Sequence, residues 1–189
     1  MCIQTKKDLK EYIAADLAVQ PYKKGILGFL FQNEIVNFKL HLRKCEYHHN
    51  VENQNMFHKI LYYYHLIHVK RISSRNCSEI PINVFGKGLT IWHMERIIVN
   101  RASKVGNYCS ISSGVVIAQA HNQCPTVGDY VEMTIDSKVL GGITIADHVR
   151  IGAGALVIRS IKEPNTTWGG VPAKKINNRG TIETPIPIA

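Results

Sequence analysis

A chain of 189 residues can hold one substantial core or two small domains sharing one, and its hydrophobic content of 45% is ordinary for a globular protein. A formal net charge of +9 suits a polyanion, an anionic membrane surface or a phosphorylated small molecule, and composition alone does not choose among them. No run is long and apolar enough to span a bilayer, and five widely spaced cysteines without a CxxC motif exclude a disulfide framework. Cys2, Cys45, Cys77, Cys109 and Cys124 read as reduced thiols of a cytoplasmic protein. The opening residues Met1 to Lys7 have no apolar segment after their charges, so no secretory signal is expected.

Residues 1–77 are expected to be helical. Thr5 with Asp8 has the form of an N-cap and a first-turn acid, and Leu9, Ile13 and Leu17 then share one face until Pro21 interrupts. A second helix places Phe31, Ile35, Phe38 and Leu42 on one face, with Arg43 and Lys44 near its end, where cations suit the helix dipole. After the polar break at 50–55, a third helix sets Met56, Ile60, Tyr63 and Ile67 on an apolar face. The many cations here, Lys39, Arg43, Lys59 and Lys70 among them, are expected on a solvated face, with one of Tyr62, Tyr63 and Tyr64 packed inward. A membrane or polyanion surface is the alternative. His48, His49, His58, His65 and His68 have no Cys or carboxylate partner at a ligand spacing, so no metal is expected.

From Ile80 the texture changes to period-two apolar residues and glycines, as in Ile82-Asn83-Val84-Phe85-Gly86-Lys87-Gly88-Leu89. From Val99 the chain counts in sixes: Val99, Val105, Ile111 and Ile117, then Val127, Met133, Val139, Ile145, Ile151 and Val157. Smaller or aliphatic residues follow four positions later, among them Ser103, Cys109, Val131, Ser137 and Ala155. A six-residue step fits neither a 3.6-residue helix nor a hairpin meander. It fits a hexapeptide parallel β-helix, in which each step is a short strand and a turn and stacked coils bury one aliphatic column. The polar stretch 119–125 is expected to leave the coil as a loop. Residues 78–161 therefore form the β-helix, and 162–189 a C-terminal turn and tail, loose or laid over a neighbouring subunit.

Several of these stretches resemble the hexapeptide-repeat acyltransferases, most closely the serine acetyltransferase-like branch that includes capsular polysaccharide O-acetyltransferases. The resemblance is carried by Pro81 to His93, Ile98-Val99-Asn100, Val105-Gly106-Asn107-Tyr108-Cys109, Pro125 to Val131, Ile151-Gly152-Ala153-Gly154-Ala155 and Gly169 to Lys174. It implies a mainly β protein, a left-handed parallel β-helix with an N-terminal helical region, assembled as a homotrimer. It also implies transfer of acetyl from acetyl-CoA to a hydroxyl; neither a metal nor a nucleic-acid partner is expected.

By that resemblance His93 is the general base, since a hydroxyl is a poor nucleophile until a neutral imidazole takes its proton. The family's orienting carboxylate aligns with Ser78, leaving Glu79 beside it or Glu95 as candidates. Trp92 stands where serine acetyltransferases carry an aspartate for the substrate ammonium, and Cys124, with His121 nearby, stands where they carry a further histidine. Trp92 and His121 are the substrate-side candidates, and these departures favour a sugar hydroxyl in polysaccharide biosynthesis over serine, the alternative. Acetyl-CoA is expected along the coil edge near Ser137 and Ala155, with Lys174 and Lys175 meeting its phosphates. Thr134-Ile135-Asp136-Ser137 replaces the usual Gly-Pro-Gly-Ala, and a non-catalytic hexapeptide scaffold is a second alternative.

Overall fold

The computed structural model describes residues 2–20 and 33–181. Helix α1 (Lys6–Ala18) opens on a reciprocal cap: Asp8 N donates to Thr5 Oγ1 at 3.1 Å and Thr5 N to Asp8 Oδ2 at 2.9 Å. Backbone hydrogen bonds from Thr5 and Gln4 hold the Asp8 carboxyl below its ordinary value. Helix α2 (Glu34–Asn50) is capped by Asn33 and helix α3 (Met56–Arg75) by Asn55. Ile35, Phe38 and Leu42 pack inward as their spacing predicts, whereas Pro21 and Phe31 lie outside the described residues. Because α2 runs on to Asn50, Arg43 and Lys44 sit mid-helix and not at its end.

Two expectations about these helices are corrected. Lys39 and Arg43 are not solvated: they are 1% and 0% exposed. Arg43 pairs with Asp16 at 2.8 Å and Glu46 at 3.0 Å and donates to the carbonyls of Phe85 and Gly86, while Lys39 Nζ donates to those of Asp16 and Leu89. Burial pulls the Lys39 ammonium down to about 8. These cations tie α1 and α2 to the opening edge of the β-helix, where backbone carbonyls lack a preceding coil.

The apolar face expected on the third helix is also reversed. Met56, Ile60, Tyr63 and Ile67 are 60–71% exposed, and the buried side of α3 carries His65, Val69 and Ser73. Apolar side chains surround this helix, so their period does not select a face. The partner does, because α2 presents imidazoles. His68 stacks on His41 (4.3 Å between centroids), His41 Nδ1 meets His65 Nδ1 at 2.9 Å, His65 stacks on His48 (5.8 Å), and His48 Nδ1 meets His58 Nδ1 at 2.8 Å. Each nitrogen pair holds one proton and one lone pair, so the accepting ring of each pair must be neutral. Burial, with neighbouring imidazoles and Lys44, lowers His41 and His65 to about 4. Of the three tyrosines, Tyr62 is half-buried, and Tyr63 and Tyr64 are exposed.

The remainder is a three-faced parallel solenoid. One face stacks β1 (Thr90–Ile91), β4 (Ser110–Ile111), β7 (Glu132–Met133), β10 (Arg150–Ile151) and β12 (Thr167–Gly169), closed by antiparallel β13 (Lys174–Asn177). The second stacks β2 (Ile98–Val99), β5 (Val116–Ala118), β8 (Lys138–Leu140) and β11 (Leu156–Val157). The third stacks β3 (Lys104–Val105), β6 (Thr126–Val127) and β9 (Thr144–Ile145). All ten residues of the six-step series are at most 5% exposed and form one column, each side chain contributing about 1.5–3 kcal/mol of hydrophobic stabilisation. A regular coil takes 18 residues (Thr126 to its partner Thr144), and the coil before it takes 22 (Lys104 to Thr126). The four extra residues belong to the loop at 119–125, pinched by reciprocal backbone hydrogen bonds between Ala120 and Gln123. At one corner Tyr108, Tyr130 and His148 stack on successive coils, and Gly88, at φ +75°, leaves room for the Tyr108 ring that a Cβ would strike.

Candidate active site

His93 sits in the turn that follows β1, and both it and Trp92 (44% exposed) face solvent. Trp92 N donates to Ile111 O at 3.0 Å, which ties this turn to the next coil. His93 and Trp92 open onto a cleft of about 360 Å³ that crosses the first face from coil to coil, reaching Ser112, Thr134 and Ile135. Its floor holds two charged side chains that sequence reasoning missed. Glu132 on β7 and Arg150 on β10 are register partners, and Arg150 Nε lies 3.3 Å from Glu132 Oε1. Thr90, Ser110, Glu132 and Arg150 each precede a core residue by one, so strand alternation turns them away from the column. Pairing the coils by their steps of 20, 22 and 18 residues would have aligned these four positions.

The carboxylates named from sequence are elsewhere. Glu79 bridges Ile98 through its backbone and lines two other cavities, one of about 600 Å³ beside α3 and one of about 300 Å³ beside Asn100. Glu95 offers its carbonyl to Gly114 N and Ser113 Oγ, and its carboxylate makes no hydrogen bond or ion pair among the described residues. Ser78, at the family's carboxylate position, donates to Met94 O and accepts from Ile97 N, so it fastens the His93 turn from beneath. His121 and Cys124 lie on the 119–125 loop, His121 exposed and in the left-handed region at φ 51°.

Ser137 and Ala155 are fully buried, with their backbone N–H groups spent on Thr134 O and Gly152 O. The surface at these coil edges is made instead by Ile135 (45% exposed) and Ala153. Lys174 and Lys175 line a second cleft, of about 580 Å³, with Arg159, Trp168 and Pro172. Lys175 is paired with Glu163. His93 thus opens onto one cleft and the cations Lys174, Lys175 and Arg159 onto another.

No family model matches the chain. A serine acetyltransferase of Synechococcus elongatus is 33% identical over 105 residues, covering 53% of this chain and 43% of its own length. That of Mycobacterium tuberculosis is 33% identical over 100 residues, covering 51% and 43%. Over about half of its length the chain is similar to serine acetyltransferases. It spans under half the length of these two. Among solved structures, serine acetyltransferase from Brucella abortus superposes with a TM-score of 0.70 at 21% identity, over 93% of this chain and 71% of that one. A serine acetyltransferase in complex with CoA superposes with a TM-score of 0.67 at 20% identity, over 90% and 71%. The solenoid is thus the left-handed parallel β-helix of these enzymes, preceded by helices.

Proposed function

We propose that the chain is an acetyl-CoA-dependent O-acetyltransferase. The observation that carries this reading is the exposed His93 in a coil-edge cleft, on a fold shared with serine acetyltransferases. In the proposed reaction the acceptor hydroxyl oxygen bonds to the thioester carbonyl carbon as its proton passes to His93. The C–S bond then breaks, and the departing thiolate takes that proton as free CoA. CoA would run along the coil edge past Ile135 and Ala153 to the cleft of Lys174, where an ammonium suits a phosphate as a point charge.

Serine is the acceptor that the names of the relatives favour. A sugar hydroxyl is the second reading, favoured by Trp92, whose indole lacks charge for an ammonium group and offers a face to a pyranose ring. We place the enzyme in the cytoplasm as a homotrimer; no helix among the described residues is long and apolar enough to cross a membrane. The exposed stripe of α3 adds a peripheral contact. Met56, Phe57, Ile60, Tyr63 and Ile67 lie on a helix that bears Lys59, Lys70 and Arg71 and no acid, which complements an anionic bilayer surface. Release of CoA thiol from acetyl-CoA, with L-serine set against free and nucleotide sugars, tests the function. Turnover with serine places the enzyme in amino-acid acetylation and turnover with a sugar in glycan modification; neither turnover nor acetyl-CoA binding would leave a scaffold.

A further inference from the structure

We infer that the cavity between α3 and the first coil is a ligand site separate from the cleft of His93, and that it takes a small monocarboxylic acid with an apolar body. The cavity holds about 600 Å³, within the range of small-molecule pockets. On α3 the helical spacing of Tyr62, Leu66, Val69 and Ser73 turns one stripe toward it. The facing wall is Ile80, Pro81 and Ile82, on the segment that leads into the solenoid. Val69 and Ile80 are each 3% exposed, so the floor is apolar. Lys70 of α3 and Arg101 of the turn after β2 stand exposed at the rim, and neither is in an ion pair among the described residues. Burial, with Cys45 and Tyr63, raises the Tyr62 hydroxyl above its ordinary value and Arg101 opposes them, so the guanidinium acts across the cavity on α3. Ser73, one turn along from Lys70, is 5% exposed, and its Oγ makes no hydrogen bond. A buried hydroxyl without a partner is costly, and a carboxylate accepts from a hydroxyl, an ammonium and a guanidinium alike. Glu79 is the acid of the same rim. Two cations against one carboxylate leave one positive charge in excess, which favours a monoanion over a phosphate dianion.

This site shares no lining residue with the cleft of His93. Glu79 and Arg101 also line the neighbouring cavity of about 300 Å³, with Asn100 and Gln119, at the corner between the second and third faces of the solenoid. His93 occupies the corner between the first and second. Ser78 links the two places. It lines the cavity, and its hydroxyl donates to Met94 O and accepts from Ile97 N at 2.9 Å, bracketing the turn that carries His93. An occupant therefore lies one side chain from that turn.

The test is isothermal titration calorimetry of the full chain with 3-phenylpropanoate and with octanoate, each set against its primary amide, and with acetate as the head group alone. At least one of the two acids should bind with a Kd of about 1 mM or tighter, about 10-fold or more below that of its amide, and acetate should not bind measurably. Arg101→Gln should weaken the acid about 10- to 50-fold and leave the amide unchanged. Lys70→Gln should weaken it less, about 3- to 10-fold, because a flexible ammonium meets the head group as a point charge. Both side chains are exposed, so these variants change the site without disturbing the core. Ser73→Ala should weaken the acid about 3- to 10-fold, yet raise the melting temperature of the chain alone, because it removes a hydroxyl that has no partner there. Saturating acetyl-CoA and His93→Ala should both leave the Kd unchanged. Equal binding of acid and amide, binding that Arg101→Gln does not weaken, displacement by acetyl-CoA, or no binding of either acid overturns the inference.

Discussion

Arg43 Nε lies 2.8 Å from Asp16 Oδ2, and the same guanidinium donates to Phe85 O at 2.9 Å, so one fully buried side chain joins α1, α2 and the first coil. The attraction of a buried pair does little more than offset its desolvation, but removing one partner leaves a charge with no counterpart. Arg43→Ala should destabilise the chain by about 3–5 kcal/mol, read from the urea midpoint at unchanged m-value. Asp16 also accepts from Leu89 N at 2.9 Å, so Asp16→Ala should cost a similar amount, and the double variant less than the sum.

His93→Ala removes the proposed base and no buried contact. Acetyl-CoA affinity should stay within about 2-fold while kcat falls about 100- to 10,000-fold, measured by thiol release beside a binding titration. Undiminished turnover in the folded variant would remove His93 from the mechanism.

The imidazoles of His41 and His65 titrate near 4 in the folded chain against 6.5 when free. Between those values the unfolded chain binds more protons, so stability present above pH 6.5 is lost as pH falls toward 4. Around them lie His48, His58 and His68, together with Tyr64 and Lys44, and no carboxylate is among the influences on either ring. The melting temperature should drop by roughly 5–10 °C from pH 7 to pH 4.5, and His41→Leu/His65→Leu should show a shallower slope.

At the far end of the proposed CoA track, Lys175 is engaged by Glu163 and Lys174 has no side-chain partner among the described residues. Lys174→Ala should therefore raise the KM for acetyl-CoA more than Lys175→Ala does, by about 5- to 20-fold, with kcat preserved. Acetyl-dephospho-CoA should be less sensitive to the change if the lost contact is to the 3′-phosphate.

Membrane attachment through α3 is read from co-sedimentation with vesicles. The unaltered chain should bind vesicles containing about 30% phosphatidylglycerol and release them as salt rises, and Ile60→Glu/Ile67→Glu should abolish binding. A stable dimer that the same substitutions dissolve, with no vesicle binding, would assign the stripe to a second copy.

The sequence by itself determined the solenoid, its column from Val99 to Val157 and the loop at 119–125. Each of these follows from short-range repetition, because one coil stacks on the next by a fixed residue count. Only the tertiary structure decided what lies across coils and between helices. Period alone put Ile60 and Ile67 inside, yet the imidazoles of α2 turned that face outward. Composition put Arg43 in solvent, yet Asp16, 27 residues away, drew it into the core. Proximity in the chain nominated Glu79 and Glu95, whereas the carboxylate in the cleft of His93 is Glu132, 39 residues on and two strands along the first face. Local periodicity reports which side of an element is apolar, but which charges meet depends on what the rest of the chain brings to that side.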